Sequence, residues 1–478
     1  GTGTLAHSPA NLKGDALIEF LDAESRSREF LFKNRKFSSD RLSFKVRANP
    51  TVDWGFSMSN ANGNVDFNKE QGLFNLNDPA SYFSFPKNGY ICFMDNAKWR
   101  IPEKSIDLKK IGPEASSKMI SVVTEQDSLQ FVAGHSKFYL ENYLLEAFKV
   151  PNIDVADASI FPDTGYVAIE EEAKMRTLKN ATITANRTTQ FHDFYGGVID
   201  IYTRNKYYGN ADYEYLDQDG TPWPIHFDVL RGDTGITVGT ANIKAEESFY
   251  MSPYFAYDGK VYLRGDRKAL DFRGHTHIES DCPTVSTDWF SFRSIIDPSN
   301  IFIDLPEIDP EDKTKNLVNG VLIDADTVRG YAAFLSQSTS AYDKEMFFTT
   351  GKLYYDEALG SYVIIDDIKF DDPESKGNYL YFNNTDCLMH GEGTMAIGDD
   401  KGQMEIGSWG NIDYDLSTDE MTLDIVMGLD FHFSSDLQKA IAAAINSSAS
   451  ADGANLERQA FKVSADELLD GKEKKKNL

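Results

Sequence analysis

The 478-residue sequence predicts a mainly β chain, an elongated array of antiparallel hairpins, open like a β-jelly roll or solenoid, that ends in a short helical cap. Three observations carry that expectation. One phrase of alternating apolar residues around a turn is written at least four times, most plainly in KLYYDEALGSYVI at Lys352–Ile364. Aromatics make up 13% of the chain, mostly 32 Phe and 23 Tyr, residue types that favour strands over helices. The alternation then stops after Phe433, where an Ala-rich stretch begins.

In the clearest copy Leu353 and Tyr355 precede Asp356, Gly360 follows, and Tyr362 and Ile364 resume the alternation. The same grammar reads as Val65, Phe67, Asn68, Gly72, Phe74 and Leu76 in one copy. In another it reads as Ile412, Tyr414, Asp415, Asp419, Met421 and Leu423. A looser copy has Ala97, Trp99, Lys104, Ile106 and Leu108. Period-two alternation on both sides of a turn describes a hairpin with one buried face. The Asp or Asn bonds its own backbone to open the turn, and Gly can supply the positive φ at the exit. This alignment makes Phe67, Trp99, Tyr355 and Tyr414 equivalent.

Taken in order, residues 1–150 form an amino-terminal hairpin block, in which FYLENYLLEAFKV is read as strand and its Asn142 as a turn. Residues 151–305 form a central β block that opens with a hairpin turning on Pro162-Asp163-Thr164-Gly165. The acidic, proline-containing stretch 306–316 is the expected linker, and 317–433 a third β block. Residues 434–478 make the helical cap and tail. Ser435 or Asp436 is the expected N-cap of a first helix whose stripe is Leu437, Ala440, Ile441 and Ala444. NLERQAFKVSADELLD is a second helical candidate. A helix this short must lean on something, so residues 435–470 are expected to cover the final β layer.

Forty-eight basic against 75 acidic residues leave a net charge of −27. Nucleic acid is thereby excluded as a partner, because phosphate recognition needs clustered Lys and Arg on a folded segment. The charge reads first as a solvated surface, with calcium or cationic partners as the alternative. No apolar run reaches the ~18 residues of a membrane span. The amino terminus, GTGTLAHSP, lacks a signal peptide's pattern, and the chain is expected to be a piece of a longer one. Cys92, Cys282 and Cys387 form no CxxC; they read as buried thiols, or as one disulfide and one free thiol.

The phrases KNGYICFMDNAKW, VADASIFPDTGYVAI, KMRTLKNATI and YYGNADYEYLD resemble those of large β-hairpin-repeat envelope proteins of Bacteroidota. The resemblance covers most of residues 60–435. The hairpin grammar is more distantly similar to the OstA-like β-jelly roll of lipopolysaccharide-transport bridges. These likenesses imply a periplasmic or outer-membrane-associated location and, as partners, other envelope proteins or further segments of a longer chain, with lipid or glycan as ligand.

Chemistry is sparse. His275 and His277 stand two apart in GHTHIESDCP and would share one strand face with Glu279, a candidate metal ladder. The alternative is a solvent face of polar side chains. Asp217 and Asp219 in DQDGT begin like a calcium loop but lack the later acids and the bidentate Glu, so a turn is the simpler reading. A Tyr–His lyase-type site would draw on His192 with Tyr195, Tyr207 or Tyr213. No nucleophile elbow, zinc-protease helix or phosphate loop is present. The expected function is therefore a non-enzymatic envelope scaffold, serving as a lipid-handling or assembly bridge, without a cofactor. Surface glycan binding or adhesion is the alternative, and a glycan lyase or hydrolase a third. An apolar groove would point to lipid, an exposed aromatic platform rimmed by Asp and Asn to sugar, and a cleft holding His192 to an enzyme.

Overall fold

A computed structural model describes residues 1–448 apart from 9–10, 48–52, 115, 234, 283–284, 287, 306–316, 338–339, 341, 374, 398–403 and 432. The expected linker and the second helical candidate lie outside the described residues. The chain is mainly β, and its named strand pairs are antiparallel.

A 15-stranded sheet runs from Thr2–His7 to Leu144–Phe148, each main strand lying beside a sequence neighbour, and closes on Val167–Ile169. A second sheet orders strands from Ile153–Val155 to Phe290–Ile296. A seven-stranded sheet ends in Met404–Asp415 and Glu420–Phe431, and a three-stranded sheet centres on Leu317–Ile323. Two compact units result. One is Gly1–Tyr215 with Pro222–Asn242 and Val261–Leu270; the other is Leu216–Thr221 with Ile243–Lys260 and Asp271–Leu478.

Alternation decides which side chains are inside. In the first unit Phe30, Phe44, Phe56, Phe74, Phe83, Phe85 and Phe138 are fully buried. They pack ring on ring, with centroids 4.6 Å apart for Phe44–Phe74 and 5.0 Å for Phe85–Phe138. Asn88, also buried, ties this sheet's end by donating to the carbonyls of Tyr143, Ile169 and Glu170. In the second unit Tyr362 lies parallel to Phe382, and Phe382 packs on Phe334.

The repeated turn is real and more frequent than the four copies read from sequence. Among the described residues, seven hairpins pair residue i with i+5 and put residue i+4 at positive φ: Asp66 with Gln71, Phe85 with Tyr90, Arg100 with Ser105, Tyr139 with Leu144, Asp356 with Ser361, Asn383 with Leu388, and Asp415 with Glu420. The residues at i+4 are Glu70, Gly89, Lys104, Tyr143, Gly360, Cys387 and Asp419. Gly89 and Gly360 take that conformation without the strain a Cβ brings. In four of the seven the residue-i side chain accepts two loop amides, as Asp356 does from Ala358 and Leu359. The turns stack: Ile101 donates to the Glu70 carbonyl, Leu140 to Lys104 and Leu416 to Cys387.

This register corrects two expectations. Asp66, not Asn68, opens its turn, so Val65 stands where Trp99, Tyr355 and Tyr414 stand. Phe67 is the first loop residue, aligned with Ile101, Leu140 and Leu416. The Pro162–Gly165 turn exists, with Gly165 donating to Pro162, but joins no hairpin. Its flanks pair elsewhere, Ala158–Phe161 with Leu178–Ala185 and Val167–Ile169 with Leu144–Phe148, so the turn returns the chain to the first sheet. FYLENYLLEAFKV is indeed a hairpin, His135–Tyr139 with Leu144–Phe148.

After Phe433 the helix Ser435–Ser448 forms. The Ser434 carbonyl accepts from Gln438, which makes Ser434 the N-cap and puts Ser435 and Asp436 inside the first turn. Its Leu437 and Ile441 remain 46% and 37% exposed, so among the described residues that stripe covers no β layer. Met421, Leu423 and Met427 on the last strand are exposed as well. A short helix not anticipated from sequence, Asp367–Asp371, is capped by the Asp366 side chain. Among the described residues, no helix is long and apolar enough to cross a membrane.

Candidate functional site

In the first unit, strands His192–Thr203 and Lys206–Leu216 are joined through Arg204 and Asn205, with Thr203 opposite Lys206. Phe194, Ile199, Ile201, Tyr207 and Ala211 point into the core. The other face carries Tyr195, Val198, Asp200 and Tyr202 on one strand and Tyr208, Asn210 and Asp212 on its partner. Tyr195 lies opposite Asp212, Val198 opposite Asn210, and Asp200 opposite Tyr208.

Tyr195 and Val198 are an odd number of residues apart, so a regular strand would send them to opposite faces. A bulge between them restores the parity. Gly196 takes it with φ +62, and a Cβ there would meet the Asp212 carboxylate at 3.0 Å. The three tyrosines are 44%, 48% and 46% exposed at positions 195, 202 and 208. From Tyr195 to Tyr202 the row spans about 20 Å.

Neighbouring groups hold the polar members in place. His226 Nδ1 is 2.6 Å from Asp212 Oδ1, Thr184 donates to Asp193 at 2.7 Å, and Thr177 donates to Asp200 at 2.5 Å. Lys206 lies 5.7 Å from the Tyr202 ring. Partial burial, then the charges of Asp212 and Glu214, push the Tyr195 hydroxyl above its ordinary range, so it remains a donor at neutral pH. Beside Tyr202 a 720 Å3 pocket is lined by Gln126, Lys179, Thr177 and Asp200 among others, a volume in the range of small-molecule sites. The face therefore offers flat apolar rings between carboxylates, an amide and a lysine.

Of the candidate site residues read from sequence, Tyr195 lies on this face and the others fall elsewhere. His192 is 1% exposed; its Nε2 is 2.7 Å from the Arg267 carbonyl and its Nδ1 3.2 Å from the Tyr213 hydroxyl. A carbonyl only accepts, so Nε2 carries the proton and Nδ1 accepts from Tyr213. Of the lyase-type partners the fold brings only Tyr213 to His192. Tyr207 bonds Thr237 at 2.7 Å, and Tyr195 is on the opposite face. His275 Nδ1 is 2.8 Å from Asp258 Oδ1, while His277 packs edge-on against Trp289. No cluster of three or more metal-ligating side chains occurs among the described residues. Asp217 accepts the amides of Asp219 and Thr221, which is turn chemistry.

Burial lowers the pKa of His192 below its ordinary ~6.5. With a depressed folded-state value, the unfolded chain binds the extra proton first. The stability contributed by neutral His192 is complete above ~6.5 and is lost as pH falls through the interval below it. Urea midpoints at pH 7.5 and 5 are expected to differ less for His192→Gln than for the wild type. Equal pH dependence in the two proteins would remove His192 from this role.

No protein-family model matches the chain, and a search of the curated proteins finds no match either.

Proposed function

We propose that this chain is a non-catalytic β scaffold of a bacterial cell envelope whose second sheet presents a glycan-binding face. The observation that carries the reading is the row of Tyr195, Tyr202 and Tyr208 set among Asp200, Asn210 and Asp212 on one rigid pair of strands. Flat rings stack on the C–H faces of sugars, and fixed carboxylates and amides bond the hydroxyls. A lipid bridge would instead keep its Phe and Leu side chains open to a groove. Here Phe30, Phe44, Phe56 and Phe74 fill the interior of the first unit. An extracytoplasmic location fits the Cys282–Cys387 disulfide, since such bonds persist in oxidising compartments.

The test is affinity electrophoresis through gels containing bacterial or plant polysaccharides, comparing wild type with Tyr195→Ala/Tyr208→Ala. At about 1 kcal/mol per ring, losing both is expected to weaken binding about tenfold or more, with an unchanged melting temperature. Retardation that is equal in both proteins, or absent from the wild type across the panel, refutes the glycan face.

A further inference from the structure

We propose that the first unit holds a second binding site, a pocket that takes an oxyanion (a carboxylate, sulfate or phosphate group) through Arg204 and Lys118. The pocket has a volume of 360 Å3 and lies where the hairpin Lys118–Ser121 with Gln130–Val132 meets the strand Ile153–Val155. It is separate from the tyrosine face and does not depend on the glycan reading.

The charge around it runs against the rest of the molecule. Acids outnumber bases 75 to 48 in the chain, yet the pocket is lined by Lys118, Arg187 and Arg204 with Asp154 as its one acid. Arg187 is already committed. Its Nη1 is 3.1 Å from Asp154 Oδ2, and its Nη2 donates to the Ala156 carbonyl at 3.0 Å. Asp154 is spent in the same way, accepting from Asn152 at 2.8 Å and from Ser159 at 2.7 Å as well. Neither Lys118 nor Arg204 makes an ion pair or a side-chain hydrogen bond with a described residue. Two such cations around one concavity repel each other, and a bound anion relieves that repulsion.

The residue types specify the ligand's chemistry. A guanidinium presents a planar fork that matches an oxyanion, and the lysine adds a point charge. The backbone holds Arg204 in place: its amide donates to the Gln126 carbonyl, and its own carbonyl accepts from Ala156. Asn205 beside it donates through Nδ2 to Asp127 at 2.8 Å, which anchors the side chain and leaves its amide oxygen for a ligand hydroxyl. Gln130 supplies a further amide at the wall. A small polar molecule bearing one oxyanion fits this set.

Isothermal titration calorimetry on the full chain at low ionic strength tests the site, with sodium phosphate, sodium sulfate and D-glucuronate as ligands and glucose as neutral control. At least one oxyanion is expected to bind the wild type. Lys118→Ala/Arg204→Ala should weaken it about tenfold or more, glucose should give no heat, and added salt should weaken binding. Selective binding of glucuronate would assign a sugar acid, and selective binding of phosphate or sulfate an inorganic or ester group; both support the site. Absence of binding by all three, or unchanged affinity in the double variant, overturns it. Both side chains are exposed, and Arg204→Gln alone provides a second variant should the double one fold poorly.

Discussion

Replacing Cys282 and Cys387 together by serine is expected to lower the stability of the second unit by about 4 kcal/mol. The bond joins residues 105 apart, and it is the separation that sets the scale. Cross-linking removes loop-closure entropy from the unfolded chain, and for a loop near one hundred residues that term is between 4 and 5 kcal/mol, roughly. Both ends are held in place in the folded chain: Cys282 is buried, and Cys387 is the positive-φ exit of the Asn383 turn. Cys92 takes no part. It is fully buried, with its thiol pushed up to about 12 by desolvation. Urea denaturation of the serine variant should show one transition moved to lower denaturant and another, belonging to the first unit, unmoved. Coincident curves for variant and wild type would mean that other contacts already restrain the loop.

Much of the architecture was legible because a hairpin is a local object. Leu353, Tyr355, Tyr362 and Ile364 alternate within a single window, and Asp356 and Gly360 mark the turn between them. The slip at Asp66 shows the limit of that reading. Side chains repeat every two residues, so an alignment wrong by two keeps every apolar residue on the correct face. Glu70 at the positive-φ position carries no glycine to reveal the error. The turn at Pro162–Gly165 was equally visible, but a turn's chemistry does not say which strand its exit will meet. That depends on the free edge beside Leu144–Phe148, outside the window in which the turn itself is read. Three cysteines allow three pairings, and only the fold selects one.

The tyrosine face was hidden for a similar reason. In DFYGGVIDIYT strict alternation groups Tyr195 with the buried Ile199 and Ile201, and only the bulge at Gly196 returns it to the side of Tyr202. Adjacent glycines at 196 and 197 are the signal that could have shown it. His192 and Tyr195, three residues apart and both before that bulge, face opposite ways under either reading. The C-terminal helix was readable from its Ser-rich start and its stripe. What that stripe meets was not, because helical periodicity identifies an apolar face and is silent about its partner.

Phe44→Ala is expected to destabilise the first unit by about 4 kcal/mol. Phe44 is fully buried in the strand Lys36–Arg47, opposite Ser25 on one side and Met58 on the other. Its ring centroid is 4.6 Å from Phe74 and 5.2 Å from Trp99, which belong to different hairpins. One ring thus joins three strands that the chain visits at separate times, and truncation opens a cavity that flanking β ladders cannot collapse to fill. Phe44→Leu retains most of the volume and should cost about 1.5 kcal/mol. Lys45→Ala, on the opposite face of the same strand, should cost about 0.5 kcal/mol or less, because its pairing with Glu24 is long, at 3.9 Å, and its own side chain is 43% exposed. Urea midpoints measured for the three variants separate burial from strand propensity. If Phe44→Ala and Lys45→Ala unfold together, the ring ladder is not what holds the stacked hairpins, and the stacked turns become the better candidate.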